Sequence, residues 1–227
     1  MRQARIVVVS ALVASGCSSI LGIDDLSLRD AGGPPDVAVD APGAFCYGTF
    51  VKACFDVEPG SPVVLSGPVD TTNDPRCVNI PQASGEPICV MRGTMITVAA
   101  TTTVSGSRPL MLVATETLTV SSKLDVASAI TGSHLGPGSN SALCAPTVQG
   151  TSTTAMAGAG GAPGGSFATP GGGGGAGHLT GAGATSAANP AQTATLLRGG
   201  CPGGTGGNSG FGGTGGIGGA GGGAVYL

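Results

Sequence analysis

The sequence predicts a mainly β protein in which a short β-helix or solenoid-like strand region is followed by a glycine-rich segment. From Cys89 to Ile130, apolar and β-branched residues recur in short runs separated by Gly, Ser and Arg-Pro, which is typical of strands. Glycine and proline, with 44 and 16 residues, supply 60 of the 227 residues, a fraction typical of low-complexity sequence. Thirty of the glycines lie in Gly150–Gly223, which leaves about one domain of ordinary sequence before that segment.

The first residues have the pattern of an export signal. Met1–Arg5 is short and basic, and Ile6–Ala14 is an apolar run too short for a bilayer crossing, which needs about 20 residues. Residues 1–16 are therefore predicted to be a signal peptide. The sequence Ala-Ser-Gly-Cys that ends at Cys17 resembles the lipobox of bacterial lipoproteins, in which the cysteine is lipidated and becomes the mature N-terminus. Ala14 stands where leucine is most usual, and ordinary secretory cleavage is the alternative.

The residues after Cys17 predict where the protein resides. Ser18 follows the cysteine in place of the aspartate that resembles an inner-membrane retention signal, which favours the outer membrane. Several acyl chains on one cysteine meet the requirement for stable anchoring. We expect a lipid-anchored outer-membrane protein, on the periplasmic face or the cell surface. Residues 17–44, rich in Asp, Ala, Gly and Pro, are predicted to be the lipidated cysteine and a disordered tether.

Cysteine usage also indicates an exported protein. The chain has seven cysteines, and lipidation of Cys17 leaves six, enough for three disulfides. Six cysteines allow fifteen connectivities, of which sequence proximity favours Cys46–Cys54, Cys77–Cys89 and Cys144–Cys201. Because no C-x-x-C pair is present and both histidines are remote from the cysteines, we predict no metal and no other cofactor.

Residues 45–149 form the predicted disulfide-containing β region. Phe45–Phe55 is predicted to be a disulfide-closed hairpin with Gly48 near its turn, and Val63–Val69 a short strand broken at Gly67-Pro68. Short strands in tandem favour a parallel β-helix, with a small antiparallel sandwich as the alternative.

An internal repeat supports the tandem arrangement. The residues Ile96–Ser107 align with Leu112–Lys123 at an offset of sixteen. Two incomplete repeats leave the choice between β-helix and sandwich open.

Residues 150–223 form the predicted glycine-rich low-complexity segment. From Gly203 to Gly223 the sequence divides almost wholly into Gly-Gly-X triplets, a period that matches the three residues per turn of an extended polyproline II helix. Two interpretations compete, a flexible loop and a packed bundle of polyglycine II strands. Ordering glycine costs more entropy than ordering any other residue, so a bundle needs near-complete hydrogen bonding between strands.

The charge distribution excludes several functions. The formal net charge is −3 with no basic cluster, so the sequence predicts no nucleic-acid partner. All twelve carboxylates lie at or before Asp125, and Arg198 is the only charged residue after it. His134 and His178 are the only other titratable residues of that half apart from cysteine and the terminal Tyr226, so it is a poor candidate for acid–base catalysis.

The chain resembles a family. The lipobox and Asp/Ala-rich tether, the segments C-V-M-R-G-T-M-I-T-V and S-R-P-L-M-L-V-A, and the glycine field ending in G-G-G-A-V-Y-L look like glycine-rich lipoproteins of myxobacteria. The glycine field alone also resembles the PGRS part of PE-PGRS proteins. The resemblance implies strand-rich repeats after the glycine field. Residues 224–227 are accordingly predicted to start a further strand, as in a truncated gene or a fragment.

These observations predict a lipid-anchored cell-surface structural or adhesive protein without catalytic activity. Its expected partners are the membrane, through the anchor, and polysaccharide or envelope components. The alternative is a carbohydrate-active or carbohydrate-binding β-helix protein, which needs charged residues clustered on one face. The candidates for such a cluster are Arg92, Arg108, Glu116, Lys123 and Asp125, and their spacing is that of scattered solvated residues.

Overall fold

A computed structural model of the chain describes residues 44–129, 133–154, 157–167, 169–178, 181–185, 195–210 and 212–227. All of them belong to one compact unit, Pro42–Leu227. This part of the chain is mainly β and contains no helix. Its strands are β1 Phe45–Tyr47, β2 Ala53–Phe55, β3 Val63–Leu65, β4 Val69–Asp70, β5 Val78–Ile80, β6 Ile88–Val98, β7 Thr102–Ser105, β8 Leu110–Val120, β9 Leu124–Asp125 and β10 Val225–Tyr226.

The first two strands form the predicted disulfide-closed hairpin. They pair antiparallel, with Cys46 directly opposite Cys54, and these two cysteines are bonded. Gly48 follows β1 with a φ of 95°, a left-handed conformation that glycine adopts at no steric cost. The hairpin packs Ala53 and Phe55 onto the main sheet.

Two sheets of parallel strands make up the rest of the β region. In the main sheet the order is β10-β8-β6-β3, with all neighbours parallel, and β5 adds an antiparallel pairing to β6. The second sheet has the order β4-β7-β9, again with parallel neighbours. From β6 onward the chain therefore alternates between the two sheets, and each new strand lies beside the preceding strand of its own sheet.

The strand registers correct the predicted repeat. Ile96 pairs with Leu118 and Thr102 pairs with Leu124, an offset of 22 residues from β6 to β8 and from β7 to β9, whereas Cys89 pairs with Leu110 at an offset of 21, ahead of the register shift. The step from β3 to β6 is longer, since Val63 pairs with Ile96. The predicted offset of sixteen is wrong, because it aligns Ile96 with Leu112, which instead pairs with Met91. A β-bulge between Gly93 and Met95 and the corner between the sheets lengthen the true repeat.

Two cores lie on opposite faces of the main sheet. From Ile88 to Met91, successive residues of β6 alternate between them, as the pleat requires. Cys89 and Met91 face the core between the two sheets, whereas Ile88 and Val90 face the core under the hairpin. The long strands are thus buried on both sides at their beginning, which accounts for their nearly continuous apolar sequence.

The two ends of the stacked strands differ. At the β3 end Leu65 is fully buried, and the nearby loop is closed by the Cys77–Cys89 disulfide. At the β8 end, Val120 occupies the place next to Val98 but is 43% exposed. The last long strand therefore ends in a partly uncovered apolar row.

Toward its end β6 is fully buried on one face only, and this predicts a contrast between two adjacent substitutions. Ile96→Ala, at a side chain with no exposed surface, is expected to lower the free energy of unfolding by about 2–5 kcal/mol, because it leaves a cavity between the sheets. Thr97→Ala, at the next residue on the other face, is expected to change it by less than about 0.5 kcal/mol. Urea unfolding followed by circular dichroism measures both, and equal effects would contradict the assigned faces.

Candidate functional site

The described parts of the glycine-rich segment, residues 150–223, are held together by backbone hydrogen bonds that recur every third residue. In one ladder the N–H groups of Gly200, Gly203, Gly206 and Ser209 donate to the carbonyls of Gly222, Gly219, Gly216 and Gly213, at 2.8–2.9 Å. The donors ascend in threes while the acceptors descend in threes, so residues 199–209 and 213–223 run antiparallel. This spacing differs from a β ladder, in which the bonding residues alternate.

Three more ladders repeat the spacing. Residues 158–164 pair antiparallel with 172–178, and residues 160–166 pair antiparallel with 201–207. Residues 150–153 run parallel to 205–208, through Gly150 N–H to Thr205 O and Thr153 N–H to Asn208 O, each at 2.9 Å. The segment 199–209 therefore has hydrogen-bonded neighbours on three sides.

One glycine of each triplet is required by the close approach of the backbones. A Cβ added at Gly215, Gly218 or Gly221 would overlap the carbonyl oxygen of Gly206, Gly203 or Gly200, far inside the 3.0 Å that real Cβ atoms respect. The same overlap arises at Gly171, Gly174 and Gly177. At these positions the glycine Cα–H points at a neighbouring carbonyl, which is the geometry of a weak Cα–H···O bond.

The second glycine of each triplet faces open space. A Cβ added at Gly216, Gly219 or Gly222 would have no heavy atom within 4 Å, and the same holds at Gly172 and Gly175. The third residue of one triplet, Ile217, also points outward, since its side chain is 92% exposed. Residues 213–223 thus present an exposed face of mostly bare backbone, interrupted by the side chains of Thr214 and Ile217.

Asparagine side chains bond backbone groups of the outer run, residues 213–223. Asn140 Oδ1 accepts the N–H of Gly221, and Asn208 Oδ1 accepts the N–H of Gly215, each at 2.9 Å. Asn140 also donates its own N–H to Gly200 O at 3.0 Å and has a φ of 53°, which asparagine tolerates better than most residues. The loop before the glycine-rich segment therefore fixes one end of its outermost run.

Cys201 and Arg198 stabilise the interior of the glycine-rich segment. The disulfide Cys144–Cys201 closes a loop of 57 residues, worth about 4 kcal/mol in the chain-entropy treatment. Arg198 is 2% exposed, donates to Phe167 O at 2.9 Å and Gly199 O at 3.1 Å, and lies 5.4 Å from the Phe167 ring. Burial lowers the pKa of this guanidinium, which still stays charged at neutral pH. Its position identifies it as an internal cross-link between distant backbone carbonyls.

Two further contacts join parts of the chain that are distant in sequence. Gln82 exchanges both amide hydrogen bonds with Leu197, 115 residues away, at 2.7 and 2.9 Å. The Tyr226 hydroxyl accepts the N–H of Thr49 at 3.0 Å, which ties β10 to the hairpin. Nothing in the sequence pattern singled out Arg198, Gln82 or Tyr226 for these roles, since each depends on partners far away in the sequence.

The charged residues considered for a carbohydrate site do not converge. Arg92 lies over the Phe55 ring at 4.4 Å and donates to Val57 O, while Arg108 bonds the Asn79 side chain and the Thr72 carbonyl. Lys123 pairs with Asp125 at 2.7 Å at a corner. The Lys123 hydrogen bond lowers the pKa of Asp125, so that this carboxylate is ionised at neutral pH. Glu116 is exposed on β8.

The structure pairs the six predicted cysteines as Cys46–Cys54, Cys77–Cys89 and Cys144–Cys201, the pairs that sequence proximity favours. Cys17, the signal peptide and nearly all of the tether lie outside the described residues. Within the described ranges, no group of three or more His, Cys, Asp or Glu side chains is placed to hold a metal ion. The same ranges contain no helix long and apolar enough to cross a membrane.

Comparison of the chain with known proteins found no relative. The chain matches no family model, no curated protein and no solved structure.

The two glycines of a triplet are expected to respond differently to the same substitution. Gly218→Ala places a methyl group against the Gly203 carbonyl and displaces the adjoining bond from Gly203 N–H to Gly219 O. Overpacking and the lost hydrogen bond together predict a destabilisation of about 2–4 kcal/mol. Gly219→Ala meets open space and is expected to be neutral, or stabilising by up to about 1 kcal/mol because alanine restricts the unfolded chain.

Thermal unfolding of the two variants beside the parent protein measures this contrast. Each variant carries one added methyl group, in adjacent residues of the same run, so composition and helix propensity cancel. Equal melting temperatures for Gly218→Ala and Gly219→Ala would show that the three-residue ladder does not exist in solution.

Proposed function

We propose that the protein is a lipid-anchored structural or adhesive module of the cell surface. In this proposal Cys17 carries the lipid in the outer membrane, residues 18–44 form the tether, and the β region is a rigid base. The glycine-rich segment is the working surface. The observation that carries the proposal is the three-residue hydrogen-bond ladder, because it makes a low-complexity segment into a packed layer with a defined outer face.

The base is proposed to be the beginning of a β-helix-like solenoid. Support comes from the alternation of the chain between two sheets of parallel strands, which stack in the order β3-β6-β8 and β4-β7-β9. Successive strands place aliphatic residues in register, with Leu65, Val98 and Val120 in one row. Stacked aliphatic rows of this kind give such repeats their stiffness.

The glycine-rich segment is proposed to be a bundle of polyglycine II strands. An extended helix with three residues per turn presents the same edge every third residue, which is the interval of the donors in all four ladders. The alternation of blocked and open glycines has the same interval. Each net backbone bond contributes about 0.5–1.5 kcal/mol, which offsets part of the high entropy cost of ordering glycine.

The outer face of residues 213–223 suits broad contact better than the capture of a small molecule. Small-molecule pockets are concave and combine apolar walls with a few converging polar groups. This face instead exposes Thr214, Gly216, Ile217, Gly219 and Gly222 along an extended run. A flat polar polymer such as a polysaccharide, or an envelope component of a neighbouring cell, can lie along such a face and bond to its backbone groups.

Anchoring is tested by Cys17→Ser. The proposal predicts that labelled palmitate enters the parent protein and not the variant, and that the variant leaves the outer-membrane fraction. Equal label in both proteins would show that Cys17 is not the lipidated residue and would contradict the proposed anchor.

The adhesive role is tested by a side chain on the open face. Gly219→Lys has room for its side chain and is expected to keep the fold while reducing cohesion between cells at least several-fold. Gly60→Lys is the matched control, since Gly60 also has open space around it but lies in the base. Cohesion equal in the two variants would contradict the proposed surface. Turnover of a polysaccharide panel that is abolished by Lys123→Ala, with the fold intact, would favour the catalytic alternative instead.

A further inference from the structure

The disulfide Cys144–Cys201 has two sulfurs in unlike surroundings. Cys201 is 2% exposed and lies in the packed run 199–209, where its N–H donates to Ser166 O at 2.7 Å. Cys144 is partly exposed and ends a turn before the glycine-rich segment, where its N–H donates to Ser141 O at 2.9 Å. A thiol from outside the molecule therefore reaches this bond from the side of Cys144.

A cation lies beside the buried sulfur. Arg198 Nη1 is 3.4 Å from Cys201 Sγ. Arg198 precedes Cys201 by three residues, an interval that matches one turn of the extended helix proposed for this segment and places both side chains on one edge. The bonds from Arg198 to Phe167 O and Gly199 O fix the guanidinium in this place. The positive charge is thus held against the sulfur that an outside thiol does not reach.

This arrangement favours one direction of thiol–disulfide exchange. In such an exchange a thiolate attacks one sulfur while the other sulfur leaves as a thiolate, and a more stable thiolate leaves faster. Burial alone disfavours a thiolate at Cys201, whereas a neighbouring arginine stabilises one, and the interaction of the two charges is stronger away from water. The charge of Arg198 therefore decides whether the buried sulfur can leave.

We propose that Cys144 is the site at which a dithiol oxidoreductase exchanges disulfides with this protein, with Cys201 as the leaving thiolate beside Arg198. A partner thiolate attacks Cys144 Sγ and forms a mixed disulfide, while the Cys144–Cys201 bond breaks and its electron pair stays on Cys201 Sγ. The partner's second thiolate then attacks the partner sulfur of the mixed disulfide, and Cys144 leaves and takes up a proton. The protein gains two electrons, and the partner dithiol becomes a disulfide and releases its other proton to water.

The same steps in reverse form the bond. A partner in its disulfide form becomes attached to Cys144, and the Cys201 thiolate beside Arg198 then attacks Cys144 Sγ and releases the partner as a dithiol. The group that makes Cys201 a good leaving group also keeps it in the thiolate form that attacks. Arg198 therefore assists both opening and closure of this disulfide.

The exchange site lies next to the loop that holds the outer run of the glycine-rich segment. Asn140, four residues before Cys144, donates its N–H to Gly200 O and accepts the N–H of Gly221 through its side chain. Opening the disulfide releases a loop of 57 residues and frees the chain beside these two bonds. The redox state of Cys144 therefore affects how firmly residues 213–223 are held, whatever those residues contact.

The site of attack is tested on the purified parent protein with reduced glutathione as the probe. After a short exposure, excess N-ethylmaleimide in guanidinium chloride stops the reaction and marks the freed thiol, and peptide mass spectrometry locates both labels. We expect glutathione on Cys144 with maleimide on Cys201 about ten-fold more often than the reverse. Glutathione found equally often on the two cysteines, or mainly on Cys201, would overturn the assigned direction.

The role of the cation is tested by Arg198→Gln, which removes the charge, and by Arg198→Lys, which keeps one. Loss of the charge is expected to slow the opening of Cys144–Cys201 by about ten-fold, and lysine is expected to restore part of the rate. The Cys77–Cys89 bond of the same molecules is the internal control, because it also joins a partly exposed cysteine to a buried one. Its rate of opening is expected to stay unchanged.

Unfolding has the opposite effect on the measured rates, because it exposes the sulfurs of both bonds and speeds their opening. Unchanged or faster opening of Cys144–Cys201 in Arg198→Gln, with Cys77–Cys89 unchanged, would overturn the role of Arg198. Faster opening of both bonds would show that this variant has unfolded, and the position of glutathione in the parent protein then decides. All rates are measured on purified protein, so failure of anchoring or of cell cohesion is a separate result.

Discussion

The structure depends on how closely the backbones of the glycine-rich segment approach one another. Where a carbonyl of one run meets the Cα–H of the next, a single methyl group would separate the runs and break the adjoining N–H···O bond, as at Gly218 and Gly203. Glycine is therefore needed for contact, although it is the most costly residue to order. This cost is offset by the number of hydrogen bonds, because residues 199–209 donate N–H groups to two neighbouring runs. Every third residue donates to 213–223, and the residue after it donates to 160–166. The Cys144–Cys201 disulfide reduces the cost further, since it restricts the unfolded segment before any ladder forms.

The ordered glycine-rich segment also returns the chain to the base. Gly223 donates its N–H to Val126 O at 3.2 Å, Ala224 donates to Pro137 O at 2.8 Å, and Leu110 donates to Ala224 O at 3.1 Å. These bonds lead directly into β10, which extends the main sheet parallel to β8. The residues between β9 of the second sheet and β10 of the main sheet thus form a long insertion whose two ends, at Val126 and Gly223, are hydrogen bonded to each other. Such an insertion is tolerated when its own ladders fix the separation of its ends.

The features that depend on local sequence pattern could be predicted from the sequence. The hairpin at Phe45–Phe55 and the break at Gly67-Pro68 were predictable because glycine, proline and cysteine spacing act over a few residues. The sixteen-residue offset failed because similar β-branched runs align in several registers, and a bulge at Gly93 with a corner decides among them only in three dimensions. The three-residue period of the Gly-Gly-X triplets was visible in the sequence. The pairing of the runs was not, because it depends on contacts between residues far apart in the chain. The roles of Arg198, Gln82 and Asn140 depend on such contacts as well.

The absence of Asp, Glu and Lys after Asp125 follows from the same constraint on packing. Between closely spaced runs a long side chain has no room, and the one charged residue, Arg198, is buried and donates to the carbonyls of Phe167 and Gly199. Sterics therefore account for the first glycine of each triplet and for the scarcity of charge in the interior. They do not account for Gly216, Gly219 and Gly222, around which a larger side chain has space. Packing within the described residues therefore does not require glycine at these three positions, and for this reason the proposed contact function is assigned to the open face of residues 213–223.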